Sequence, residues 1–85
     1  MVQFNYTLLG DEGLHARPAG NLVKKTQGYA EKITVTKGDK TVDAKRLFSV
    51  ISLQINKGDE IVITVEGENE TQVADELKAY CTSTL

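Results

Sequence analysis

The stretch from Gly13 to Gly20 reads GLHARPAG and holds the chain's only histidine and its only proline. An imidazole, His15, stands two positions before a guanidinium, Arg17, and Pro18 follows directly. Proline so placed marks the first turn of a helix, where no backbone donor is needed and its fixed φ is favourable. A helix start presents N–H groups without intrahelical partners, and the macrodipole adds roughly half a positive charge there. With the planar fork of Arg17, these groups suit phosphate oxygens. A neutral imidazole at such an edge keeps one ring nitrogen free as a nucleophile. Gly13 and Gly20 leave room for another protein's backbone to approach. A solvated histidine beside a helix end fits the same local features, since helix ends attract anions generally.

Other chemistries find less support. Metal binding lacks a second histidine, and Cys81 stands alone with no ligand spacing around it. No nucleophile motif suggests a hydrolase triad, and no glycine-rich loop with a lysine suggests a nucleotide site. Neither a metal nor a cofactor is expected.

The elements that must position His15 show in the hydropathy pattern. Val2, Phe4, Tyr6 and Leu8 alternate with polar residues, the period of a half-buried strand. Ile33 and Val35 alternate with threonines in the same way. KGDK then marks a tight turn into a short strand over Thr41 to Ala44. Ile61, Ile63 and Val65 give a fourth strand after the turn residues NKGD. Helical period appears at Ala19, Leu22, Val23 and Thr26, with Gly28 placed to end that helix. A shorter helix is expected over Leu47 to Gln54, inward at Val50 and Leu53. A last one is expected from about Glu70 to Thr82, with Val73, Leu77 and Tyr80 or Cys81 on one face. Asn69 and Gln72 there have capping-box spacing. The order β-α-β-β-α-β-α, with one apolar sheet face and helices to cover it, predicts a two-layer α+β domain over residues 1–85.

Bulk composition bounds the function. Eighty-five residues suffice for one modest core, and 40% hydrophobic with 26% charged residues is ordinary globular composition. Apolar runs never exceed three residues, so membrane insertion is not expected. The N-terminal stretch lacks signal-peptide character, and together with the lone cysteine this favours a cytoplasmic location. Ten basic against twelve acidic side chains give a net charge of −2 and little attraction for nucleic acid. Five acids and no base lie between Glu66 and Glu76, whereas Arg17, Lys24, Lys25, Lys40, Lys45 and Arg46 all lie before residue 47. Several of these near His15 would favour an acidic partner or a bound phosphate.

GLHARPAG resembles the active-site stretch of the HPr phosphocarrier family of the bacterial sugar phosphotransferase system. ITVTKGDKTVDAKRLFSVISL resembles that family's two central strands and second helix, and GDEIVITVEGENE its last strand and acidic turn. The resemblance covers essentially the whole chain. It implies an open-faced β-sandwich, a four-stranded antiparallel sheet covered on one face by three helices. It also implies that His15 takes a phosphoryl group on Nδ1 from phospho-enzyme I and passes it to IIA domains of sugar permeases. Arg17 and the backbone N–H groups of Ala16 and Arg17 would steady the phosphate. Such a protein is a monomeric, stoichiometric carrier more than a catalyst. The docking patch for enzyme I and IIA domains would comprise Ala16, Gly20, Lys24, Lys45, Arg46, Leu47, Phe48 and Ile51. Many relatives carry a regulatory serine where this chain has Arg46. That substitution argues against control by a serine kinase, even though Ser49 and Ser52 lie nearby. An HPr-like regulatory module, or a carrier in a nitrogen-type relay, is the alternative.

Overall fold

The computed structural model describes residues 1–85. Strands β1 (Val2–Thr7), β2 (Lys32–Lys37), β3 (Lys40–Asp43) and β4 (Glu60–Glu66) and helices α1 (Ala16–Thr26), α2 (Leu47–Ser52) and α3 (Glu70–Thr84) follow in the expected order, β-α-β-β-α-β-α. The strands form one antiparallel sheet in the order β1-β4-β2-β3. β4, the last strand made, therefore fills the gap between β1 and β2. Its central position suits its composition, because β4 brings Ile61, Ile63 and Val65 to the sheet's inner face.

Register carries the alternation across the sheet. Phe4 lies opposite Ile63 and Ile63 opposite Val35, while Val2 faces Val65 and Val65 faces Ile33. These rows point to the helices. The alternate rows, Gln3–Thr64–Thr34–Asp43 and Asn5–Val62–Thr36–Thr41, make the uncovered face. The two-residue loop Gly38–Asp39 closes the β2–β3 hairpin with φ of 62° at Gly38, the left-handed conformation that tight hairpins require.

The helices bury one stripe each. α1 turns in Ala19, Leu22, Val23 and Thr26, and α2 contributes Val50, followed by Leu53. Thr26 is polar yet fully buried. Its hydroxyl lies 2.9 Å from the Val23 carbonyl and 2.8 Å from the Ala44 carbonyl, so its proton serves two acceptors and ties α1 to the segment before α2. α3 packs on β1 and β4 through Val73, Ala74, Leu77 and Cys81. Cys81, not Tyr80, takes the inward position, and burial pushes its thiol up to about 11.

Helix α2 stops at Ser52, two residues short of the expected Gln54, α3 runs on to Thr84, and two helix ends are capped otherwise than expected. Asn69 is the N-cap of α3 but its side chain makes no capping bond, and Gln72 donates forward to Glu76 at 3.1 Å. The N–H of Asn69 instead donates to the Glu31 carboxylate at 3.2 Å, so a residue 38 positions away does what a capping-box partner would do. α1 ends without a left-handed glycine. Gln27 is the C-cap with φ of −65°, and Gly28 closes the turn by donating to the Lys25 carbonyl at 3.2 Å.

Candidate functional site

His15 is the N-cap of α1. Its backbone is extended (φ −90°, ψ −157°), and its carbonyl accepts the first intrahelical bond, from the Ala19 N–H at 2.8 Å. The N–H groups of Ala16 and Arg17 have no protein acceptor, as expected of a first turn, and Pro18 has none to satisfy. The imidazole does not cap the helix. Its Nε2 sits 2.9 Å from Oδ1 of Asn56, an oxygen that can only accept. In a neutral ring this contact favours the proton on Nε2 and leaves the lone pair on Nδ1.

Glu12, His15, Ala16, Arg17 and Pro18 line an open depression of about 430 Å³. Arg17 is exposed and enters none of the four ion pairs, so its guanidinium is free for a ligand. The imidazole, the guanidinium and the free N–H groups thus share one helix start. No cluster of three His, Cys, Asp or Glu side chains is placed to hold a metal ion.

Two loops hold His15 from below. The Leu8–His15 segment rests on the Ile55–Asp59 segment: the N–H of Leu14 donates to the Ile55 carbonyl at 2.8 Å, and that of Gly58 to the Leu8 carbonyl at 2.7 Å. Lys57 and Asp11 pair across the same loops at 2.8 Å. Gly13 lies buried between them with φ of 63°. A Cβ there would stand 2.7 Å from the Ile55 carbonyl oxygen. The space at Gly13 is therefore taken by the chain's own backbone and is not a partner's entrance. Gly20 is different: nothing lies within 4 Å of where its Cβ would be.

Asp59 accepts the Asn56 N–H at 2.8 Å and faces Lys37 at 3.0 Å. The backbone N–H, and after it the Lys37 ammonium, hold its carboxyl below the usual carboxylate range. Gln54, two residues before Asn56, is the one non-glycine residue with positive φ, at 52°. Gln54→Gly should accordingly raise stability by about 0.5–1 kcal/mol, the left-handed penalty less glycine's added unfolded-state entropy. Urea denaturation measures it; a loss of stability would mean the Gln54 side chain contributes more than its backbone costs.

The remaining residues expected at the site lie along α1 and α2, which pack together. Ala16, Gly20 and Lys24 follow at i, i+4 and i+8 on one face of α1. Leu47 and Ile51 are half-buried against the core, whereas Phe48 is 83% exposed. Arg46 is exposed at the N-cap of α2, with Nε 3.8 Å from Asp43. Lys45 is less available than its sequence position suggests, because its ammonium donates to the Tyr29 carbonyl at 2.6 Å.

The family model described as the PTS HPr component phosphorylation site matches residues 2–83. The chain belongs to the HPr phosphocarrier family. It is 38% identical over 79 residues to the phosphocarrier protein HPr of Haemophilus influenzae, covering 93% of each chain. The crystal structure of HPr-C-His from Thermoanaerobacter tengcongensis superposes with a TM-score of 0.92 at 29% identity, over 98% of this chain and 93% of that one. The chain is also 31% identical over 81 residues to a multiphosphoryl transfer protein of Xanthomonas campestris, matching 95% of this chain and 10% of that protein. The expected open-faced sandwich is the HPr fold. Sequence reasoning did not reach Asn56 or Glu12 as neighbours of His15. Asn56 sits in NKGD, where turn chemistry alone accounts for it, and Glu12 precedes the motif without any periodic mark.

Proposed function

We propose that His15 accepts a phosphoryl group from the phosphohistidine of enzyme I and passes it to IIA domains of sugar permeases. The observation that carries this reading is the His15–Asn56 contact, which engages Nε2 and leaves Nδ1 as the free nucleophile above an exposed helix start. In the transfer, the Nδ1 lone pair forms the new N–P bond as the donor's N–P bond breaks, and that bonding pair returns to the donor nitrogen. The chain need only position the ring and stabilise charge on the phosphoryl oxygens, the main tasks in phosphoryl transfer. Arg17 and the N–H groups of Ala16 and Arg17 supply that charge. Incubation with phosphoenolpyruvate and enzyme I should add one acid-labile phosphoryl group per chain, read by mass spectrometry. An unmodified mass with an active enzyme I would refute the reading.

The α1–α2 surface supports the docking half of the same proposal. Ala16, Gly20 and Lys24 lie on α1 and Leu47, Phe48 and Ile51 on α2, two helices that pack together, with Arg46 at the N-cap of α2 and Lys45 before it. An aromatic ring left 83% exposed on the helix packed against α1 is suited to a partner's apolar pocket. Phe48→Ala should weaken binding to enzyme I by about 1–3 kcal/mol, measured by calorimetry, with little change in stability. Leu53→Ala, at a position only 5% exposed, should instead cost about 2–5 kcal/mol of folding free energy. Comparable stability losses in both variants would place Phe48 in the core and remove it from the patch. Arg46 cannot accept a phosphoryl ester, so on this reading the start of α2 stays cationic and favours an acidic partner surface.

A further inference from the structure

We propose that Asn56 is a positioning residue for phosphoryl transfer, holding the His15 ring in its Nε2–H form through a bracket of groups anchored on Lys37. The inference rests on His15 being the phosphoryl acceptor, and it adds the device that readies the ring. An asparagine amide can point either way, and a reversed amide would turn N–H toward Nε2 and select the opposite tautomer. Here the amide is oriented by its other end. Asn56 Nδ2 donates to the Gln54 carbonyl at 3.2 Å, which directs Oδ1 at the imidazole. Reversal would set two oxygens against each other at Gln54.

The Gln54 carbonyl is itself held in place. The left-handed turn at Gln54 aims its peptide, and the Lys37 ammonium donates to that carbonyl at 2.7 Å. The same ammonium faces Asp59, whose carboxylate accepts the Asn56 backbone N–H. Lys37 on β2 thus braces Asn56 from two sides, by its side-chain partner and by its main-chain partner. The backbone strain at Gln54 lies at this bracket, beside the reacting ring.

The bracket matters chemically because the ring changes charge. A neutral imidazole that attacks through Nδ1 and keeps its proton on Nε2 becomes cationic as the N–P bond forms. No proton has to leave the ring, and a carbonyl oxygen 2.9 Å from Nε2 stabilises the charge that develops. With the opposite tautomer, Nδ1 would carry the proton and have no lone pair to offer.

Nitrogen-15 NMR of the unphosphorylated chain tests the hold directly. The wild type should show His15 as a single Nε2–H tautomer at alkaline pH. Asn56→Ala should show averaging toward a mixture, and Asn56→Asp, which keeps an acceptor, should retain the single form. Phosphoryl transfer from enzyme I supplies the second readout. Asn56→Ala should lower the rate at saturating donor by about tenfold, the low end expected for loss of a group that orients a reacting ligand, with half-saturation unchanged. An unchanged tautomer in Asn56→Ala, or a defect confined to half-saturation, would overturn the proposal while wild-type uptake left the carrier reading intact. Absence of uptake by the wild type would overturn the carrier reading, and the transfer role of Asn56 with it.

Discussion

His15→Ala is expected to abolish phosphoryl uptake from enzyme I while leaving the fold within about 1 kcal/mol of its original stability. The two halves of that expectation have separate physical grounds. The chain has no second histidine, so no other imidazole can take over the N–P bond. Arg17 and the free N–H groups can bind an anion, but they cannot form a covalent bond to phosphorus. Stability is spared because His15 is exposed and its ring makes no capping bond to α1. Its one side-chain hydrogen bond is the exposed one to Asn56, and bonds of that kind contribute about 1 kcal/mol. Mass spectrometry after incubation with enzyme I and phosphoenolpyruvate, alongside a urea melt, reads both quantities. Acid-labile phosphate on the variant at the normal rate would place the acceptor elsewhere.

Gly13→Ala should be the most damaging single-methyl change near the site, costing about 2–4 kcal/mol. Alanine at φ of 63° incurs roughly 1–2 kcal/mol of left-handed backbone strain. Its methyl carbon would also stand 2.7 Å from the Ile55 carbonyl oxygen and 3.0 Å from the Asn56 Cα, both backbone atoms that cannot rotate aside. Moving Ile55 away stretches the bond it accepts from Leu14, which adds about 1 kcal/mol. For a domain of this size, each kcal/mol corresponds to about 4–8 °C in Tm. The damage should extend to function, because the displaced segment carries Asn56. Loss of phosphotransfer greater than the folded fraction explains would show this coupling. A Tm within a degree or two of wild type would mean that the two loops separate easily.

The legible parts of the fold were those written in short-range pattern. The alternation at Val2 to Leu8 and at Ile61 to Val65 reads directly as strands, because a pleated strand turns every second side chain to one face. The spacing of Ala19, Leu22, Val23 and Thr26 reads as one helix stripe for the corresponding reason. The capping box at Asn69 and Gln72 fails although its spacing is correct. Glu31 arrives from another loop and takes the same N–H, and no local rule could place it there. Tyr80 and Cys81 were equivalent by period, and only the packing of α3 on β1 and β4 selected the smaller, more apolar residue.

By itself, the sequence determined the proposed nucleophile and its immediate setting. His15, Arg17 and Pro18 are contiguous, and a helix start exposes its N–H groups whatever packs behind it. Tertiary structure decided how that nucleophile is held. Asn56 lies 41 residues from His15, and Lys37 lies 17 from Gln54, so no spacing rule connects them. Their meeting depends on β4 entering between β1 and β2, which brings the loop before β4 under the start of α1. Gly13 shows the same division. Its sequence context suggests space for a partner, whereas the fold fills that space with the Ile55–Asn56 backbone. Contacts between distant segments are settled by chain topology and close packing, and neither leaves a periodic trace in the residues that meet.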